Sequence, residues 1–395
     1  MSLLDARMRP ITAGPGCHWF GYYDKLQFDE TGRRVLGMRV DFQHRSPRPD
    51  DEIELGVIDL ADGDRWTRLG ASRAWCWQQG CMLQWRPGHP NEVLWNDREG
   101  DRFVCRVLDV GSGRMRTVPE PVYTVSPDGR TALAPDFRRI ADTRPGYGYV
   151  GLPDPCRDED APRDSGIRLI DLETGEGRQI LSIAEAAGLA GAEPPPAGVK
   201  QWFNHLLFSP DGSRFVFLHR WIPPGSRGPI FTRALTADPD GGRLHLVSGQ
   251  GRWSHFIWRD ARRLLSWSGR PGGGESLNLW EDRSDRVEPV GAEAVRSDSH
   301  VSYLPGGEWI VGDSYPSSGD GGRRQSLFLY HPASGRRLDL GALDSPKEFS
   351  GEWRCDLHPR VSPDGRFLCV DSPHAGGARQ MYLIDIAGLT EGEGS

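Results

Sequence analysis

One short pattern recurs seven times in this chain and constrains its fold more than any other feature. Its fullest form is Cys355-Asp-Leu-His358-Pro-Arg-Val-Ser-Pro-Asp-Gly365, an apolar strand running into a tight turn with a histidine at its start. Ser-Pro-Asp-Gly supplies the turn: proline sets φ near –65°, aspartate bonds its own backbone, and glycine accepts a positive φ. The same frame returns as His205-Leu-Leu-Phe-Ser-Pro-Asp-Gly212, His255-Phe-Ile-Trp-Arg-Asp-Ala-Arg262 and His300-Val-Ser-Tyr-Leu-Pro-Gly-Gly307. Three earlier copies begin instead at Lys25, Met82 and Val122.

A second set of seven follows in step. Gly56-Val-Ile-Asp-Leu60, Cys105-Arg-Val-Leu-Asp-Val110, Ile167-Arg-Leu-Ile-Asp-Leu172, Thr232-Arg-Ala-Leu-Thr-Ala237, Leu277-Asn-Leu-Trp-Glu-Asp282, Leu327-Phe-Leu-Tyr-His331 and Met381-Tyr-Leu-Ile-Asp-Ile386 read as strands. Between the sets lie apolar runs such as Phe215-Val-Phe-Leu218, with the bias of strands covered on both faces. A shorter fourth strand follows in most units, as at Arg243-Leu-His-Leu-Val247. Four antiparallel strands in each of seven units predict an all-β, seven-bladed β-propeller, one domain over 1–395. The 50 glycines and 31 prolines suit so many turns.

The last unit offers no fourth strand after Ile386. Met8 to Thr12 are expected to supply it and close the ring, since an open ring leaves a bare sheet edge. Two segments interrupt the spacing, 138–166 in unit three and 180–200 after it, and read either as functional rims or as disorder.

A net charge of –7 without a basic block argues against nucleic acid or an anionic membrane as partner. No apolar run reaches the length of a membrane span, and the N-terminus lacks the form of a signal peptide. Seven cysteines, an odd number mostly in apolar runs, read as buried thiols. These features point to a soluble cytoplasmic protein.

Inner strands of a propeller line its channel, so His205, His255, His300 and His358 are expected to converge at one mouth. A lone histidine of this kind is usually a structural one bonding a turn carbonyl; four at one repeat position argue for more. Asp356 lies two residues before His358 and shares its strand face. With His300 from the adjacent unit they make a two-histidine, one-carboxylate set suited to a divalent first-row metal. The stretch Gly16-Cys-His18-Trp-Phe-Gly-Tyr22-Tyr23-Asp-Lys25 is aromatic and polar enough to bind a sugar. Trp75-Cys-Trp-Gln-Gln79, Asn96-Asp-Arg98 and Arg220 are expected as further contacts, although Trp75, Trp77 and Trp85 equally suit packing between blades.

In these residues the chain resembles oligogalacturonate lyase: Cys17-His18, then Tyr23, Lys25 and Phe28, then His205, His255, His300 and His358-Pro in that order. The resemblance implies a seven-bladed propeller that cleaves uronic-acid oligosaccharides by β-elimination with a bound divalent metal, manganese for preference. It implies metal ligation at His300, Asp356 and His358. Asp356 stands where the family has a histidine, and Trp353 falls near the place of a family glutamine ligand. It further implies Arg233 as the base and His255 beside the substrate. Because an arginine is hard to deprotonate, His255, His205, Tyr22 and Tyr23 stay open as the acid or base, and His18, Tyr22, Lys25, Gln79 and Arg220 are the expected substrate contacts. Two other readings remain open: a non-catalytic propeller binding a glycan or a protein, and a metal-dependent hydrolase or epimerase.

Overall fold

A computed structural model describes residues 3–225, 230–319 and 322–390. Seven antiparallel sheets stand around a channel, each built inner strand first. Blade four shows the pattern in full, from Gln201–Phe208 through Phe215–Trp221 and Phe231–Ala237 to His245–Gly251. Its second strand is buried at every position, as its unbroken apolar run requires. Blade six departs from the expected four strands. A short extra strand, Ser317–Gly319, pairs with the start of Gly322–His331.

The ring closes as the missing strand of the last unit requires. Met8–Pro10 pairs antiparallel with Gln380–Asp385, in the register Met8↔Ile384. The Ile11 N–H extends the ladder to the Met381 carbonyl at 2.9 Å, and Leu4 ahead of it is buried among residues of blades six and seven.

Both interrupting segments are folded. Phe137–Thr143 is a helix capped by the Asp136 side chain, and Tyr149 stacks on Phe137 at 4.2 Å. Arg139, buried inside this segment, donates to Asp154 and to the carbonyls of Gln201, Cys156, Glu159 and Asp160. Ile183–Ala187 is a short helix with a Ser182–Glu185 capping box. The described cysteines are unpaired and buried, and no described helix is long and apolar enough to cross a membrane.

The inner strands of blades four and five carry one extra residue against their neighbours, between Asn204 and Leu207 and between Trp253 and Phe256. Such a bulge re-aims side chains, and here it turns His205 and His255 toward the axis. His205, His358 and Met82, equivalent in the repeat, all take left-handed backbone conformations. In blade one the interruption is longer. Between Trp19 and Phe28 the chain leaves the ladder, and Gly21–Lys25 crosses the channel as a plug.

Candidate metal and acidic-sugar site

The four histidines converge. His255 and His300 lie 3.9 Å apart between ring centroids, His300 and His358 4.2 Å, and the Tyr23 ring of the plug touches all four imidazoles at 5.5–6.1 Å. Inside this ring His300, Asp356 and His358 are buried together, each offering one ligand atom, all within 4.8 Å of one another. Nε2 of His300, Nε2 of His358 and Oδ1 of Asp356 have no hydrogen-bond partner. Three buried polar atoms left bare in one place are costly unless something fills the space between them.

The surroundings hold these donors in ligating form. Asp313, at the end of the Ile310–Asp313 strand, accepts from His300 Nδ1 at 2.9 Å and from the backbone N–H groups of His300 and His358 at 2.9 and 3.1 Å. That fixes the tautomer of His300 and leaves Nε2 free, the usual second partner of a metal-bound imidazole. Burial pulls the His300 pKa down, but Asp313 outweighs it and holds it above the ordinary value. His358 shifts far the other way, by burial and then by His300. Asp356 gives its other oxygen to Arg354 Nε at 2.7 Å. A neutral imidazole, a buttressed one and a carboxylate suit a divalent cation. Trp353 contributes nothing, its indole N–H being spent on the Glu348 carbonyl.

His255 stands beside the triad with Nδ1 on Asp298 at 3.0 Å and Nε2 facing the Tyr315 hydroxyl at 3.4 Å. Burial and then His300 lower its pKa to about 4, so the ring is neutral. His205 is sealed into the plug. It stacks on Phe256 at 4.0 Å, shares a hydrogen bond between Nδ1 and the Tyr22 hydroxyl at 3.4 Å, and sits 3.3 Å from Asp24.

Several expected contacts are placed elsewhere. The Tyr23 hydroxyl donates to the Phe256 carbonyl and accepts from the Phe256 N–H, both at 2.9 Å, so it is a strut of the plug. Lys25 is buried on Asp24 at 2.9 Å and over the Tyr123 ring. Gln79 donates to the Tyr123 hydroxyl at 2.7 Å, inside the channel wall. His18 packs edge-on against Trp66, apart from the four histidines. Trp75, Trp77 and Trp85 belong to the core, the packing alternative, and Asn96 is buried against Val122 and Tyr149.

Arg233 is set apart from the histidines by strand alternation. It is buried beside His219 and lies over Trp221, whereas Arg220 and Thr232 share the opposite face of the blade. Arg220, with Arg144, Ser254, Trp253, Trp267 and Asp298, lines a cleft of about 230 Å³ next to His255. Burial, then Arg144, brings the Arg220 pKa down to about 10, still cationic at neutral pH. Together with Asp313 of the Ile310–Asp313 strand, Arg144, Arg354, Asp298, Tyr147 and Tyr315 complete the site; these five carried no repeat signal, since they lie on connections rather than in the repeated frame.

No family model matches the sequence, and no curated protein matches it. Among solved structures the chain is similar to an oligogalacturonate lyase in complex with manganese, with TM-score 0.68 and 16% identity over 97% of this chain and 93% of that one. An oligogalacturonate lyase from Vibrio parahaemolyticus gives TM-score 0.66 and 14% identity over 97% and 94%. The propeller domain of the Trilobed protease from Pyrococcus furiosus gives 0.51 and 10% over 93% and 96%. At these identities the likeness is one of fold: the chain is a seven-bladed β-propeller similar in architecture to the oligogalacturonate lyases.

Proposed function

We propose that this protein is a divalent-metal-dependent lyase that cleaves uronic-acid oligosaccharides by β-elimination. The observation that carries the reading is the set of three bare, buried ligand atoms on His300, Asp356 and His358, buttressed by Asp313 and adjoining a cleft lined by three arginines, Arg144, Arg220 and Arg252. When bound, a divalent cation there supplies Lewis acidity toward a uronate carboxylate, which lowers the barrier to removing the adjacent proton. Arg144 and Arg220 bind the carboxylates of the sugar, Trp253 and Trp267 offer ring faces, and Arg354 fixes the ligand geometry of Asp356. Tyr315 and His255 hydrogen-bond sugar hydroxyls. Manganese is the first cation to test. A glycan-binding propeller without chemistry would use the same arginines but has no need of bare ligand atoms.

The test is elemental analysis of the purified protein after loading with manganese, zinc or iron, wild type beside His300→Ala and His358→Ala. Near-stoichiometric metal in the wild type, lost in both variants, is expected. The loaded wild type should also release unsaturated uronates, which absorb in the near ultraviolet. Failure to bind any of these cations would overturn the reading, and cleavage without the absorbing product would make the enzyme a hydrolase.

A further inference from the structure

The chemistry above needs a base, and the groups expected to serve are poorly placed. Arg233 lies on the wrong face of its blade, His205 and Tyr23 are committed within the plug, and His255 already faces Tyr315. A different residue fits, on the Arg144-Pro-Gly-Tyr-Gly-Tyr149 turn that interrupts blade three.

Tyr147 is buried between Arg354 and Arg144, behind the cleft that Arg144 lines, by a turn that only its glycines permit. A Cβ on Gly148 would lie 2.1 Å from the Ala141 nitrogen, inside the preceding helix, and Gly146 adopts a φ of +92° against Glu352. Gln78 ties the facing segment, donating to the carbonyls of Glu352 and Arg354. The Tyr147 hydroxyl accepts from Arg354 Nη2 at 2.5 Å, and the Arg144 guanidinium lies 4.2 Å from the centre of its ring. Among the described residues the hydroxyl has no acceptor for its own proton. Arg354 meanwhile holds Asp356 through Nε, so one guanidinium fixes the phenol oxygen relative to the metal set.

We propose, on the lyase reading above, that Tyr147 is the base: its phenolate, held by Arg354 and Arg144, removes the proton on the carbon bearing the uronate carboxylate. The electron pair of the broken C5–H bond forms the C4–C5 double bond, and the C4–O bond breaks. The departing C4 oxygen, on the opposite face of the sugar ring, takes its proton from solvent water, and the Tyr147 hydroxyl releases the C5 proton to solvent, which regenerates the phenolate. No oxidant, reductant or further reactant is required. The groups facing Tyr147 are Arg144, Arg354 and Arg220 on the cationic side, and Asp356, Tyr22 and Tyr315 on the other. Burial disfavours the phenolate, but Arg354 and Arg144 outweigh it and bring the pKa to about 8, near enough to neutrality for effective proton transfer.

The experiment compares wild type, Tyr147→Phe and Arg144→Gln, all metal-loaded, on oligogalacturonates. For Tyr147→Phe we expect kcat to fall by roughly 10²–10⁴-fold, with KM and metal content little changed. In the wild type kcat should rise with pH through about 8, alongside a phenolate difference absorbance that Tyr147→Phe lacks. Arg144→Gln should move both to higher pH. An active wild type with kcat unaffected by Tyr147→Phe would overturn the proposal and leave the lyase intact. No elimination by the wild type would overturn the lyase reading, and the proposal with it. If Tyr147→Phe fails to fold, the wild-type titration decides: no tyrosine ionising below the ordinary range sinks the idea.

Discussion

Asp313 is the side chain on which the order of the metal set depends. Its two oxygens accept from the His300 ring and from the main chain of both histidine ligands. Asp313→Asn replaces an acceptor oxygen with a donor, which turns His300 or leaves its Nδ1–H without a partner. The expected result is a 10- to 100-fold loss of divalent-metal affinity by calorimetric titration, with the circular dichroism unchanged. Undiminished affinity would mean that the His300 tautomer is fixed in another way. The triad itself was legible because His300 and His358 occupy one position of the repeat and Asp356 shares a strand face with His358. Asp313 was hidden because strand pairing, not chain proximity, brings it there. A signal did exist: Ile310-Val-Gly-Asp313 and Leu368-Cys-Val-Asp371 bring an aspartate to the same part of the second strand of neighbouring blades. Asp371 is likewise a buried acceptor, for the N–H groups of Phe20 and Gly21.

At the scale of elements, the N-terminal strand and the plug decide whether the ring holds. Met8–Pro10 covers the edge of Gln380–Asp385, and Thr12 bonds Gln380 at 2.7 Å. Leu4 and Ile11 are buried with it, each contributing about 1.5–3 kcal/mol. Removing residues 1–12 is expected to lower Tm by several degrees and to produce larger species in size-exclusion chromatography, since the bared edge can pair between molecules. Unchanged Tm and elution would show that the ring is closed well enough without this strand. The strand could be read from the sequence because its absence at the other end was conspicuous. The plug could not: Gly21–Lys25 is aromatic and polar like a sugar site, and only three-dimensional closure shows Tyr23 and Lys25 turned inward. Blade-three geometry was equally opaque, because a seven-residue helix and a glycine turn carry too little periodicity to announce themselves.

Over the whole molecule, the convergence of blades buries neutral imidazoles, and this sets how the protein meets acid. His205 and His255 are lowered to about 4, by burial and, for His255, then by His300; burial and then Arg233 take His219 to about 3. Unfolded histidine titrates near 6.5. Each group therefore contributes stability that is fully present above about pH 6.5 and is lost as pH falls toward its folded value, at up to about 1.4 kcal/mol per pH unit. His300 runs oppositely, being raised by Asp313 against burial, and offsets part of this loss. Carboxylates such as Asp24, which Lys25 and His205 hold at about 2 against burial, add their own loss only below about pH 4. In metal-free protein, Tm should thus begin to fall near pH 6.5, well before carboxylates titrate. His219 lies outside the site, with Nε2 donating to Gln201 at 2.8 Å, so it isolates the effect. His219→Gln should make the decline between pH 6 and 5 shallower, because it removes one of the four deeply buried lowered histidines, His205, His219, His255 and His358, from the linkage. A decline that begins only below pH 4.5, in wild type and variant alike, would mean that these histidines bind protons as readily in the folded ring as outside it.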